Sequence, residues 1–236
     1  MTDTPRLNLP LVMAAQAQKH VTVNEALLRL DGMVNLVLES TTVTTPPDLA
    51  VEGMACAVPQ DAVNAWAGKA GQIALALGGG WVFITPRTGW RAFVSDRGAA
   101  ALFGGQGWRI GALTMAASGA GMTAVVEEVL HEIALGEQSV TQPIMTQQGM
   151  MIGVTARVVE PITGSLTSWS LGSPGAPDRF GHGLGIAAGS WCRGLLSQPS
   201  TVWAPEPLLL SATGGSFTSG VVRIAVHALT LALPEG

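Results

Sequence analysis

The chain has 236 residues, 47% of them apolar and only 12% charged, with a net charge of −4. That length suits one large or two small domains, and an acidic balance with no basic run argues against a nucleic-acid surface. No apolar run reaches the roughly eighteen residues of a membrane-spanning helix, and the opening "MTDTPRLNLPLVMAAQ" lacks the long apolar segment of a signal peptide, so neither insertion nor export is expected.

Charge this scarce cannot cover a monomer's surface, and a subunit interface is the simplest covering. Thirty glycines and fourteen prolines predict many short strands and tight turns. The two cysteines, Cys56 and Cys192, stand far apart in dissimilar contexts. They read as reduced core residues, not as a metal motif or a disulfide framework.

Residues 1–11, "MTDTPRLNLPL", read as an extended arm that docks on another protein. Residues 14–40, "AAQAQKHVTVNEALLRLDGMVNLVLES", read as one helix with a narrow apolar stripe. Val23, Leu27, Leu30, Val34 and Val37 follow at spacings of 4, 3, 4 and 3, the rhythm of a coiled-coil seam. No second helix is predicted, so the expected partners are copies of the same chain, in a parallel homotrimer with those five side chains on its axis. An amphipathic helix lying on its own domain is the alternative. Gly32 costs about 1 kcal/mol against Ala in a helix interior, and so short a seam is marginal alone.

Three parts are expected: residues 1–45 as arm and oligomerisation helix, 46–123 as a small Gly/Trp β module with a linker, and 124–236 as a β-sandwich of jelly-roll type. In the middle part, "GGGW", "TGW" and "GQGW" each put a glycine turn before a strand-opening tryptophan. "WVFIT" and "WRAFVS" read as a hairpin closed by "PRTG". "IGALTMAASGAGMT" reads as a linker. Beyond it, "VVEEVLHEIALG" suits helix or strand, and strand is preferred. "MMIGVTARVVE" alternates Ile152, Val154, Ala156 and Val158 against Gly153, Thr155, Arg157 and Val159. "VVRIAVHALTLAL" alternates in the same way, and "LTSWSLG" and "PLLLSAT" supply further strands. Turn signals about ten residues apart suit a sandwich or jelly roll.

No catalytic motif stands out: no Gly-x-Ser-x-Gly elbow, no paired metal-ligand histidines, no P-loop. His131 and His227 alternate with apolar residues and read as half-buried strand positions. Glu127, Glu128 and Glu132 cluster on one segment, whereas glycosidase acids flank a cleft from separate elements. No enzyme activity, cofactor or metal is expected. Seven tryptophans without a tyrosine suggest sugar stacking. Asp178, Arg179 and His182 lie within "SLGSPGAPDRFGHG", flanked by Trp169 and Trp191; the segment reads as the chain's longest loop and, with those five residues, as the candidate glycan site. Tryptophans that plug the sandwich or a subunit seam are the alternative.

The stretch "LNLPLVMAAQAQKHVTVNEALLRLDGMV", continued by "AWAGKAGQIA" and "GGGWVFITPRTGWRAFVSDRGAAALFGGQGW", resembles the opening of a family of prophage and gene-transfer-agent proteins found as tail fibres or head spikes. The likeness spans residues 5 to 110, and "IGVTARVVEPITGSLTSWSLG", "DRFGHGLGI" and "SATGGSFTSGVVRIAVH" are similar to a β-domain of such fibres. The resemblance implies a virion component, assembled in the bacterial cytoplasm, that contacts other particle proteins through its arm and attaches the particle to a host surface polysaccharide. An adaptor without glycan binding and a polysaccharide depolymerase are the alternatives. It carries over no catalytic residue.

Overall fold

The computed structural model describes residues 2–13, 19–144 and 148–234. The chain is mainly β and divides into two compact units, Met1–Ala117 and Ser118–Gly236.

In the first unit, α1 (Lys19–Met33) leads into β1 (Val37–Leu38), β2 (Ala55–Ala57), β3 (Ile73–Leu77), β4 (Gly80–Ile84), β5 (Arg91–Val94), β6 (Ala99–Phe103), β7 (Trp108–Ile110) and β8 (Ala112–Met115). One antiparallel sheet runs β2-β3-β4; another runs β1-β5-β6-β7, with β1 parallel to β5. Ile73 and Leu75 of β3 pack with Leu36, Leu38 and Ala92, while Ala74 faces Cys56, Val58 and Trp66 on the other side. A strand buried on both faces reads as a continuous apolar run, which is why "IALAL" does not alternate. Gly78 and Gly79, both at positive φ, close the two-residue β3–β4 turn, as a hairpin of primed turn type requires. "PRTG" does not close a hairpin. β4 pairs with β3, whereas β5 pairs with β6 and β1, so residues 86–89 carry the chain from one sheet to the other.

The helix is shorter than its apolar rhythm suggests; residues 14–18 lie outside the described residues. Val34 closes the last helical hydrogen bond, to Leu30, and Asn35 then turns to φ 48°, a left-handed helix end that asparagine tolerates. Val23, Leu27 and Leu30 therefore lie on α1, Val34 just past it, and Val37 on β1 opposite Phe93. Val37 is not a seam position. Val23, Leu30 and Val34 are exposed. The other end of the helix is committed to its own unit: a Cβ at Gly32 would stand 2.5 Å from Leu75 Cδ2, so only glycine lets α1 approach β3 this closely.

The arm is not extended. Thr4 N–H donates to the Leu9 carbonyl and Leu11 N–H to that of Thr2, folding residues 2–11 into a loop on α1. Its anchor is Asp31, fully buried. One carboxylate oxygen accepts from Thr4 Oγ1 (2.6 Å) and Leu7 N–H (2.7 Å), and the other from Arg6 N–H (3.0 Å). The Arg6 guanidinium caps α1 by donating to the Gly32 and Asn35 carbonyls. The arm is thus ordered by its own chain.

In the second unit, β9 (Gly121–Glu132), β10 (Gln138–Val140), β11 (Gly149–Gly164), β12 (Ser168–Ser173), β13 (Ala176–Leu184), β14 (Trp191–Val202), β15 (Leu209–Thr213) and β16 (Phe217–Ala232) form two sheets. One is ordered β10-β15-β12-β13 and the other contains β14-β11-β16-β9. Counted along the chain from β9, the strands run second, seventh, fourth, fifth in the first sheet and sixth, third, eighth, first in the second. Val154, Ala156, Val158, Val222, Ile224 and Val226 from one sheet share a core with Trp169, Leu171 and Leu210 from the other. "VVEEVLHEIALG" is strand through Glu132.

Hydrogen bonds to a buried charge contribute about 1.5–3 kcal/mol each. Asp31→Ala is expected to destabilise the first unit by about 3 kcal/mol in urea titrations, Asp31→Asn by less. Limited tryptic cleavage after Arg6 should appear in the alanine variant before global unfolding.

Candidate functional site

The segment "SLGSPGAPDRFGHG" is not a loop. Ser173 pairs with Ala176 across a two-residue turn at Pro174-Gly175, and the residues beyond it are β13. Asp178, Arg179 and His182 are exposed on that strand. Trp169 is 1% exposed and spends its indole N–H on the Gly185 carbonyl (2.9 Å). It belongs to the core and has no face for a sugar. Trp191, by contrast, is 61% exposed at the start of β14.

β13 and β14 are edge strands of different sheets, and the structure brings them together. A Cβ at Gly194 would lie 2.6 Å from Phe180 Cα, so the missing side chain is what lets the strands touch. Next to this contact, Gly181 lies against Cys192. Trp191 and Arg193 on β14 therefore share one edge of the sandwich with Arg179 and His182 on β13. The Arg193 guanidinium sits 5.8 Å from the Trp191 ring centroid, a cation–π distance.

From that edge a shallow cleft of about 360 Å³ runs onto the outer face of the long sheet, lined by Trp191, Arg193, Arg157, Arg223 and Glu128 among others. Its composition follows from strand register. Arg157 of β11 stands opposite Trp191 on one side and Arg223 of β16 on the other. Like charges directly opposed are unfavourable. Glu128 partly relieves the pair, 3.4 Å from Arg223 Nε with both side chains more than half exposed, a contact worth at most about 1 kcal/mol. Farther along, Thr155 Oγ1 and His227 Nε2 are 3.0 Å apart and satisfy each other. Beyond them the face turns apolar: Met122, Met150, Trp203, Leu229, Leu231 and Leu233 line a groove of about 420 Å³.

Sequence reasoning missed the arginines as a group. Arg157 and Arg223 each show as the polar member of an alternating strand, but their opposition is set by pairing between strands far apart in the sequence. Cys192 borders the cleft yet is buried, and burial raises its thiol above the usual range; the Cys56 thiol is pushed up to about 11, again by burial first. Among the described residues, no cluster of three or more His, Cys, Asp or Glu is placed to hold a metal ion, and no helix is long and apolar enough to cross a membrane.

Residues 23–109 match a family described as a protein of unknown function (DUF2793). No curated protein matches the sequence. Among solved structures, the chain is similar to one from the cyanophage Pam1 capsid asymmetric unit, at 13% identity and a TM-score of 0.33 over 46% of this chain and 84% of that one. So loose a superposition assigns neither a shared fold nor a role.

Trp169→Ala removes a fully enclosed indole and is expected to cost about 3–5 kcal/mol, read as a lowered unfolding midpoint of the second unit. Because the thiolate is the reactive form, neither Cys56 nor Cys192 should be alkylated at pH 8 in the folded chain, and both should be after unfolding, as counted by intact mass.

Proposed function

We propose that the chain is a structural fibre or spike protein of a phage-like particle, prophage or gene transfer agent, that assembles as a homotrimer and attaches the particle to a host surface polysaccharide. The observation that carries the attachment reading is the exposed Trp191 ring with Arg193 beside it, on the edge shared with Arg179 and His182. An open indole face next to charged donors and acceptors is what a sugar ring requires. The resemblance of residues 5–110 to particle proteins supports the setting. The strand order of the second unit agrees with an eight-stranded jelly roll, an architecture of capsid and lectin domains. The arm, residues 1–11, where Leu7 is exposed, is the surface proposed to meet other particle proteins. Val23, Leu27, Leu30 and Val34 are the proposed helical contact between copies.

The cleft contains one carboxylate, Glu128, already paired with Arg223. Glycoside hydrolysis by the usual route employs two flanking acids, which makes attachment the better reading than depolymerisation.

Particles made without this chain, then complemented with wild type or with Trp191→Ala/Arg179→Ala, test the proposal. Adsorption to capsulated cells is expected to fall at least tenfold for the double variant in particles carrying the normal number of copies. Unchanged adsorption overturns the glycan site, and absence of the chain from purified particles overturns the whole reading.

A further inference from the structure

We infer that the outer face of β14-β11-β16-β9 is a packing surface for a second copy of this chain. The inference rests on the self-association reading above and gives it a location that the helix seam does not supply.

The two sheets of the sandwich differ sharply in what they expose. Eight large apolar residues exposed in the second unit lie on β9, β11, β14 and β16, against one, Val140, on the strands of the other sheet. Leu231 is 80% exposed, Leu195 75% and Val126 61%. Register brings Leu195 of β14 and Val126 of β9 to the same level of the sheet, through Gly153 and His227. They belong to one surface that continues into the groove of Trp203, Leu231 and Leu233.

Size supports an interface. Twelve residues of strand at about 3.3 Å each, across four strands about 4.8 Å apart, give a face of roughly 40 by 19 Å. That is about 750 Å², close to the roughly 800 Å² per partner of a stable standard-size contact.

Charge identifies the occupant. The polar end of the face presents Arg157 and Arg223 together with Glu128, and Glu132 and Glu160 pair in register with Val221 one row beyond. Cations and carboxylates on one surface make it complementary to itself. Arg157 has no ion-pair partner among the described residues and stands opposite a like charge. A carboxylate from a second copy relieves that opposition. A partner of single-signed charge would leave one set facing its own sign. The polar pair in the middle of the face, Thr155 with His227, is satisfied within the chain, so covering it strands no hydrogen-bonding group there. Trp191 and Arg193 lie together at the start of the edge strand β14, at the rim of such a contact, and this leaves the proposed sugar site open.

The test is the mass of the full chain by sedimentation equilibrium from nanomolar to micromolar concentration, for wild type, for Leu195→Glu/Leu231→Glu, and for the seam variant Leu30→Glu. Both altered face residues are exposed, so folding should persist, as checked by circular dichroism. Wild type is expected to be a dimer or trimer at micromolar concentration, and the face variant to dissociate at least a hundredfold more readily. A face variant with wild-type mass overturns the inference, and if Leu30→Glu alone dissociates, self-association through the helix survives without it. A monomeric wild type overturns both. Should the double variant misfold, hydroxyl-radical footprinting of wild type decides. Loss of protection at Met122, Met150 and Leu195 on dilution supports the inference, and concentration-independent labelling overturns it.

Discussion

The pairing of β11 with β16 is the constraint on which the second unit depends. Val154 faces Val226, Ala156 faces Ile224 and Val158 faces Val222, all buried. The residues between them, Gly153, Thr155 and Arg157, face His227, Ala225 and Arg223 on the other side of the sheet. Side chains alternate with period two, so a slip of one residue would exchange the two sets. Each buried aliphatic side chain contributes about 1.5–3 kcal/mol by leaving water, and placing Arg157 or Arg223 in the core would add the cost of an uncompensated charge. The register is therefore held by the core, and the outer face is a consequence of it. The opposed arginines are tolerated because the alternative register is far worse.

The same reasoning separates the two parts of the helix. Asp31 and Gly32 bind α1 to its own chain, Asp31 by gathering the arm and Gly32 by admitting Leu75. Neither uses Val23 or Leu30, which remain exposed. A seam for self-association and a docked helix are thus compatible: the intramolecular contacts spend one set of positions and leave the other. The alternation of the sandwich does likewise, with one side of each long strand committed to the core and the other left open.

Legibility followed the range of the interactions. Strands whose sides differ, such as β11 and β16, were readable from alternation alone. β13 was not, because the Gly, Pro, Ser and Asp content of the segment that carries it imitates a loop. Trp169 was drawn into the site by that error, since a tryptophan beside a supposed loop looks exposed, while on β12 it points into the core. The helix end was missed because Val34 and Val37 continue the apolar rhythm past Asn35, where the backbone turns. By its spacing Asp31 falls off the apolar seam. Nothing local to it announces that residues 4, 6 and 7 fold back to fill its oxygens.

The open face also bears on the chain's composition. With 12% charged residues, the chain cannot offset an exposed surface containing Leu195, Leu231 and Trp203 by repulsion alone. Sheet faces of this kind invite nonspecific association unless something specific occupies them first. A mixed charged end meets that need by fixing which surfaces fit. Attraction forms only where opposite signs meet, and misaligned copies bring arginine against arginine. Apolar area then supplies the strength of the contact and the charges its alignment, the division of labour general to interfaces. On this view, Arg157 opposite Arg223 is the element that discriminates: mildly unfavourable in a free chain, and favourable only beside a correctly placed carboxylate.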